Sequence, residues 1–174
     1  REMREAVAAV NKNYRRDLDL KTATAHVSYT VGDVTFTREI FASAPDQVIV
    51  VRLTASRPGQ ISFEALLQTP QRATVGVSPN GDLVMAGVNG DGRGATADGK
   101  QLNGALRFEA RVRVLATGGS RSSSGGAVAV RSANAVTLLI SAATSYRNYE
   151  DVSGDPAARV AASLGRASVK TIES

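Results

Sequence analysis

Cysteine and tryptophan are absent from the 174 residues, and histidine occurs once, at His26. Without a thiol there is no disulfide scaffold, no thiolate zinc site and no cysteine nucleophile. A Ser-His-Asp apparatus needs a G-x-S-x-G elbow or an equivalent partner for the histidine, and neither is present. No apolar run approaches the ~18 residues of a membrane-spanning helix. The opening residues Arg1–Glu5 lack the apolar stretch of a secretory signal, and a chain that opens on arginine reads as a fragment or a processed product. Aromatic residues are sparse, four Phe and four Tyr, so platforms for stacking a sugar ring are few.

Basic residues are in modest excess, 21 Lys+Arg against 16 Asp+Glu, for a net charge of +5 and a pI near 10.0. Electrostatic binding of nucleic acid requires those charges to be concentrated. They are scattered instead, the densest groups being Arg15-Arg16 and Arg107/Arg111/Arg113, so no nucleic-acid partner is expected. Apolar residues make up 43% and charged residues 21%, an ordinary globular balance. A chain of this length buries roughly two-thirds of the surface its unfolded form exposes, enough for a core without staples.

Period-two alternation dominates the chain. Thr22–Val31 sets Ala23, Ala25, Val27, Tyr29 and Val31 on one face, and Thr, His and Ser on the other. Gly32-Asp33 predicts a hairpin into Val34–Phe41. Gln47–Ala55 is nearly continuous in apolar residues, as a strand buried on both faces would be. After Ser56-Arg57-Pro58-Gly59 comes the row Ile61, Phe63, Ala65, Leu67; the turn Ser78–Asp82 is flanked by Thr74–Val77 and Leu83–Val88. Leu106 to Val114 alternates apolar residues with Arg107, Glu109, Arg111 and Arg113, and this charged row is expected to face solvent. Ala127–Arg131 and Ala135–Thr144 read as a closing hairpin. Val27, Tyr29, Ile49, Val51, Phe63, Phe108, Val112 and Leu138 are the expected core.

Two glycine-rich stretches interrupt the strands: Asn89–Gly104, read as a long loop, and Gly118–Gly126, read as a flexible surface loop. Helices are expected at the two ends. Met3, Ala6, Val7 and Val10 recur at helical spacing within 1–12. At the other end, Asp155-Pro156 opens a second helix over 156–170 with an N-cap and a proline in its first turn. It carries Val160, Ala161, Leu164 and Ser168 on one side. The fold class is therefore mainly β, an antiparallel β-sandwich in one domain spanning 1–174, with short terminal helices.

Few constellations carry chemistry. Asn89–Gly94 lacks the order of a phosphate-binding loop. Asn89, Asp91 and Asp98 lack the bidentate Glu of a calcium loop, so neither a metal nor another cofactor is expected. Asp17/Asp19 and Glu150/Asp151/Asp155 are the carboxylates available for glycosidic chemistry, and they read as surface charge clusters. No catalytic residue is assigned. Tyr146 and Tyr149, past the last strand, are the candidate sugar-binding residues.

Several phrases nevertheless stand in a distinctive order. They are Y-R-R-D-L-D-L (Tyr14–Leu20), Y-T-V-G-D-V-T-F-T-R-E-I-F-A-S-A-P-D-Q-V-I-V-V-R-L (Tyr29–Leu53), G-A-L-R-F-E-A-R-V-R-V (Gly104–Val114), A-A-T-S-Y-R-N-Y (Ala142–Tyr149) and Asp155-Pro156. From Tyr14 to Ser174 the chain resembles the N-terminal domain of glycoside hydrolase family 95, bacterial and plant α-L-fucosidases.

The resemblance implies a β-supersandwich that belongs to a multi-domain enzyme. Its partner would be a catalytic (α/α)6 barrel of the same parent chain, and a fucosylated oligosaccharide would be bound by the whole enzyme. The reaction implied is inverting removal of terminal α-linked L-fucose, in a periplasmic or secreted setting. The acid and the water-activating groups would belong to the barrel, so none maps onto this sequence, and this chain alone is expected to be inactive. The family also carries further strands before the Tyr14 phrase, where this sequence has the helix-like Arg1–Lys12. A truncated sandwich with an exposed edge, prone to form a homo-oligomer, is therefore expected. The competing readings are an independent carbohydrate-binding module and a structural, self-associating sandwich.

Overall fold

In the computed structural model, residues 11–90 and 103–170 are described. Eleven strands follow in chain order: β1 (Asn11–Asp19), β2 (Thr24–Val31), β3 (Val34–Ser43), β4 (Val48–Ala55), β5 (Ile61–Leu66), β6 (Arg72–Val77), β7 (Leu83–Val88), β8 (Arg107–Thr117), β9 (Ser120–Ser124), β10 (Ala127–Ala133) and β11 (Ala135–Thr144). One helix, α1 (Pro156–Ser168), follows them. The strands form two antiparallel sheets. One has eight strands in the order β1-β2-β3-β4-β11-β8-β7-β6, and the other three in the order β5-β10-β9. The mainly β, antiparallel sandwich expected from the alternation is the fold observed.

The large sheet buries apolar residues on both faces of its centre. On one face Leu83, Val112, Val114 and Val136 meet Ile61, Val128 and Val130 of the small sheet. On the other, Val48, Val50 and Leu139 meet Val160, Leu164 and Ala167 of α1. This double burial explains the unbroken apolar run of β4. The helix starts where the sequence places it: the Asp155 side chain accepts from Ala158 N at 3.1 Å, and Pro156 fills the first turn. Its buried side is Pro156, Val160, Ser163, Leu164 and Ala167, so Ala161 points to solvent rather than inward.

Other expectations are corrected by tertiary pairing. Asn11 and Lys12 open strand β1, where Asn11 pairs opposite Val31; the rest of the expected 1–12 helix lies outside the described residues. Gly118–Gly126 is no loose loop. Gly118 and Gly119, then Gly125 and Gly126, all hold positive φ, and between these two turns Ser120–Ser124 pairs along β10. Nor are β10 and β11 a hairpin: β10 pairs with β5 and β9, whereas β11 pairs with β4 and β8. The switch between sheets occurs at Ser132, whose φ is 53° and whose N–H is taken by Ser62 Oγ at 2.9 Å.

The charged row of β8 is not solvated either. Glu109 is buried, and Arg111 and Arg113 are half-buried. The Arg113 guanidinium donates to both Asp82 oxygens at 2.8 Å and to Leu164 O of α1 at 3.5 Å. Arg107 donates to Gly154 O at 3.0 Å. The row thus clamps α1 and its leading loop to the sheet. Of the expected core, Val112 is buried; Val27, Tyr29, Val51, Phe63, Phe108 and Leu138 are half-buried, and Ile49 is 47% exposed. The reason is coverage: three strands cannot roof eight.

Candidate functional site

Where the small sheet ends, the large sheet continues uncovered, leaving an open groove of about 990 Å³ between β5 and the β1–β3 end. Its floor is Val27, Tyr29, Phe36 and Ile40, and its wall is Ile61 and Phe63. Tyr29 and Phe36 are direct cross-strand partners, with rings stacked at 5.4 Å and 17°. The Arg38 guanidinium lies 5.4 Å from the Tyr29 ring centroid, and its Nη2 donates to the Tyr29 hydroxyl at 3.2 Å. The Tyr29 ring and its hydroxyl are thereby already engaged within the sheet, and the rest of the floor is aliphatic. A surface of this kind is suited to being covered by protein.

A second, smaller groove of about 440 Å³ lies on the opposite face beside the C-terminal end of α1, lined by Phe41, Val48 and Leu115. At its edge Lys170 Nζ donates to Asp46 Oδ1 at 2.6 Å and Ser43 Oγ donates to Asp46 Oδ2 at 2.8 Å. The Lys170 bond first, then the Ser43 bond, hold the Asp46 carboxyl below the usual carboxylate range.

Tyr146 and Tyr149 stand apart from both grooves, in the β11–α1 connection, 51% and 87% exposed. Their loop is tied down locally. Arg147 N and Asn148 N donate to Asp151 O at 2.9 and 3.2 Å, and Arg159 Nη1 donates to Thr144 O and Tyr146 O at 2.9 and 3.0 Å. They form an exposed aromatic pair on an anchored loop, within reach of whatever packs there.

The carboxylates named from the sequence are engaged in structural tasks. Asp17 accepts from Arg15 Nε at 3.1 Å. Asp19 accepts from Lys21 N at 2.8 Å, and that bond lowers its pKa. Asp151 accepts from Ser153 N at 2.7 Å and is likewise held low, its hydrogen bonds to Ser153 being the cause. Asp155 caps α1, and Glu150 is exposed. A glycosidic general acid needs the opposite shift, upward. His26 stands in register between Asp17 and Glu39, on a cross-strand row that continues to Arg52. Among the described residues no three His, Cys, Asp or Glu converge as a metal site. Of the Asn89–Gly104 loop, Asn89 Oδ1 accepts from Leu106 N at 2.8 Å; Asp91 and Asp98 lie outside the described residues.

Comparison with known proteins accounts for this lack of a catalytic centre. The family model described as "Glycosyl hydrolase family 65, N-terminal domain" matches residues 4–149. The chain belongs to this N-terminal domain family of the glycosyl hydrolases. Within the glycosyl hydrolases, it is 36% identical over 146 residues to "Alpha-L-fucosidase 2" of Arabidopsis thaliana, a match covering 77% of this chain and 17% of that protein. The chain therefore spans under a fifth of the length of that curated relative. A "Putative kojibiose phosphorylase from human microbiome" shares the fold, with a TM-score of 0.55 at 11% identity, over 93% of this chain and 23% of that one. The glycosyl hydrolase N-terminal domain is thus a sandwich found within much longer proteins. No helix among its described residues is long and apolar enough to cross a membrane.

Proposed function

We propose that this domain is the accessory N-terminal sandwich of an inverting α-L-fucosidase of glycoside hydrolase family 95 type. The parent enzyme removes terminal α-linked L-fucose from fucosylated oligosaccharides, and an (α/α)6 barrel elsewhere in the parent chain carries the catalysis. One observation supports the fucosidase over other glycosidases: 36% identity to a named fucosidase across 146 residues, against 11% to the phosphorylase. The carboxylates agree with an accessory role, because each is either exposed or held by donors that favour its ionised form. The domain packs against the barrel, and Tyr146 and Tyr149 supply an exposed aromatic edge to the rim of the sugar site. The single-domain extent 1–174 belongs to the same proposal.

The test uses the uninterrupted parent polypeptide. Incubated with an aryl α-L-fucoside and followed by proton NMR, it should release the β anomer of L-fucose first, as inversion requires. Initial release of the α anomer, or phosphorolysis of an α-glucoside without fucosidase activity, would replace this reading.

A further inference from the structure

We propose that the uncovered β1–β3 end of the large sheet is the interface for a second copy of this chain. Among the described residues, β5 touches β4, and β10 touches β8 and β6, so the second layer stops before β3. The open strip is three strands wide, roughly 14 Å at about 4.8 Å per strand. It presents Val27, Tyr29 and Phe36, with Tyr14 and Leu18 each 59% exposed on β1.

Symmetry selects the arrangement. Antiparallel pairing of β5 with its own copy requires a two-fold axis normal to the sheets. That axis leaves both eight-stranded sheets in one layer, where their overhangs collide. A two-fold axis parallel to the strands, midway between the layers, has no such conflict. It lays each three-strand overhang onto the other and brings β1 of one copy beside β5 of the other. Both layers then continue across the interface, and each overhang becomes the missing roof of its mate.

Charge favours this β1–β5 meeting over like edges. Lys12 and Arg15 pair opposite Thr30 and Ser28, which places them on the outward row of β1. Glu64 sits on the corresponding outward row of β5 and is exposed. Opposed β1 edges would set these cations against each other, and opposed β5 edges would do the same with Glu64. The remaining strand of the small sheet's rim, β9, reads Ser-Arg-Ser-Ser-Ser and is exposed throughout, the polar composition of an edge that stays unpaired.

Sedimentation velocity on the 174-residue chain, from micromolar to near-millimolar concentration, tests the proposal. The mass should rise from 18.1 kDa toward twice that value. Leu18→Lys and Glu64→Lys change exposed residues and should leave the circular dichroism melt unchanged. Each should weaken the dimer by about ten-fold or more. Adding Lys12→Glu and Arg15→Glu to Glu64→Lys should restore affinity. A monomer at every concentration overturns the proposal. So does a dimer indifferent to Leu18→Lys, or a charge reversal that fails to restore association.

Discussion

Asp82 and Arg113 show how a charge can be read correctly as a residue and wrongly as an environment. Asp82 is 2% exposed, and both its oxygens are taken by one guanidinium, which raises the Arg113 pKa through those bonds. Alternation puts the Arg113 side chain on the polar face of β8, but only the later return of α1 covers that face. Asp82→Ala would leave a partly buried cation without its partner, at a cost of about 2–4 kcal/mol, toward the lower end because Arg113 keeps some water. Urea unfolding of the variant beside the native chain measures it.

Asp46 gives a pH dependence. Its carboxyl is held low by Lys170 and then Ser43, so the folded state binds its proton less readily than the unfolded one. The resulting stability is present in full above the ordinary carboxylate range, beyond about pH 5. It disappears as pH falls below about 4 through the depressed value. Asp46→Asn should therefore lower the melting temperature at pH 7 and make little difference at pH 3; an equal effect at both would contradict the tie.

At the scale of elements, α1 depends on a sequence signal and a tertiary clamp together. The Asp155 cap and Pro156 are legible in the chain, and Asp155→Ala should cost about 1 kcal/mol. The face of the helix is less legible: several apolar or small positions fit a helical stripe, and the sheet beneath decides which are used. Leu164 is fully buried, so Leu164→Ala should cost about 2–5 kcal/mol, read as a lower urea midpoint. The strands follow the same rule. Those with strong alternation, β2 to β8, were readable because one face is apolar. Strand β9 was not, because serine and arginine carry no apolar face and only the paired glycines at both ends betray its turns. The β10–β11 pairing was misjudged because both strands are apolar and adjacent. Only the positive φ at Ser132, invisible in sequence, moves the chain from one sheet to the other.

For the whole molecule, the layers and the antiparallel order follow from periodicity, but their unequal width does not. That inequality leaves Ile49 exposed and opens the groove, because burial depends on which strands have a roof. The candidate site was legible mainly by exclusion. A chain with one histidine, no cysteine and carboxylates engaged in turns, caps and ion pairs has no acid–base pair held for glycosidic cleavage. Membership in a glycosyl hydrolase N-terminal domain family explains why such a chain persists without one. The most direct measurement is turnover of an aryl α-L-fucoside by the purified 174-residue chain. The account predicts release no faster than in a protein-free control. Release clearly above that control, abolished by changing Asp17, Asp19, Glu150 or Asp151 to the amide, would contradict it.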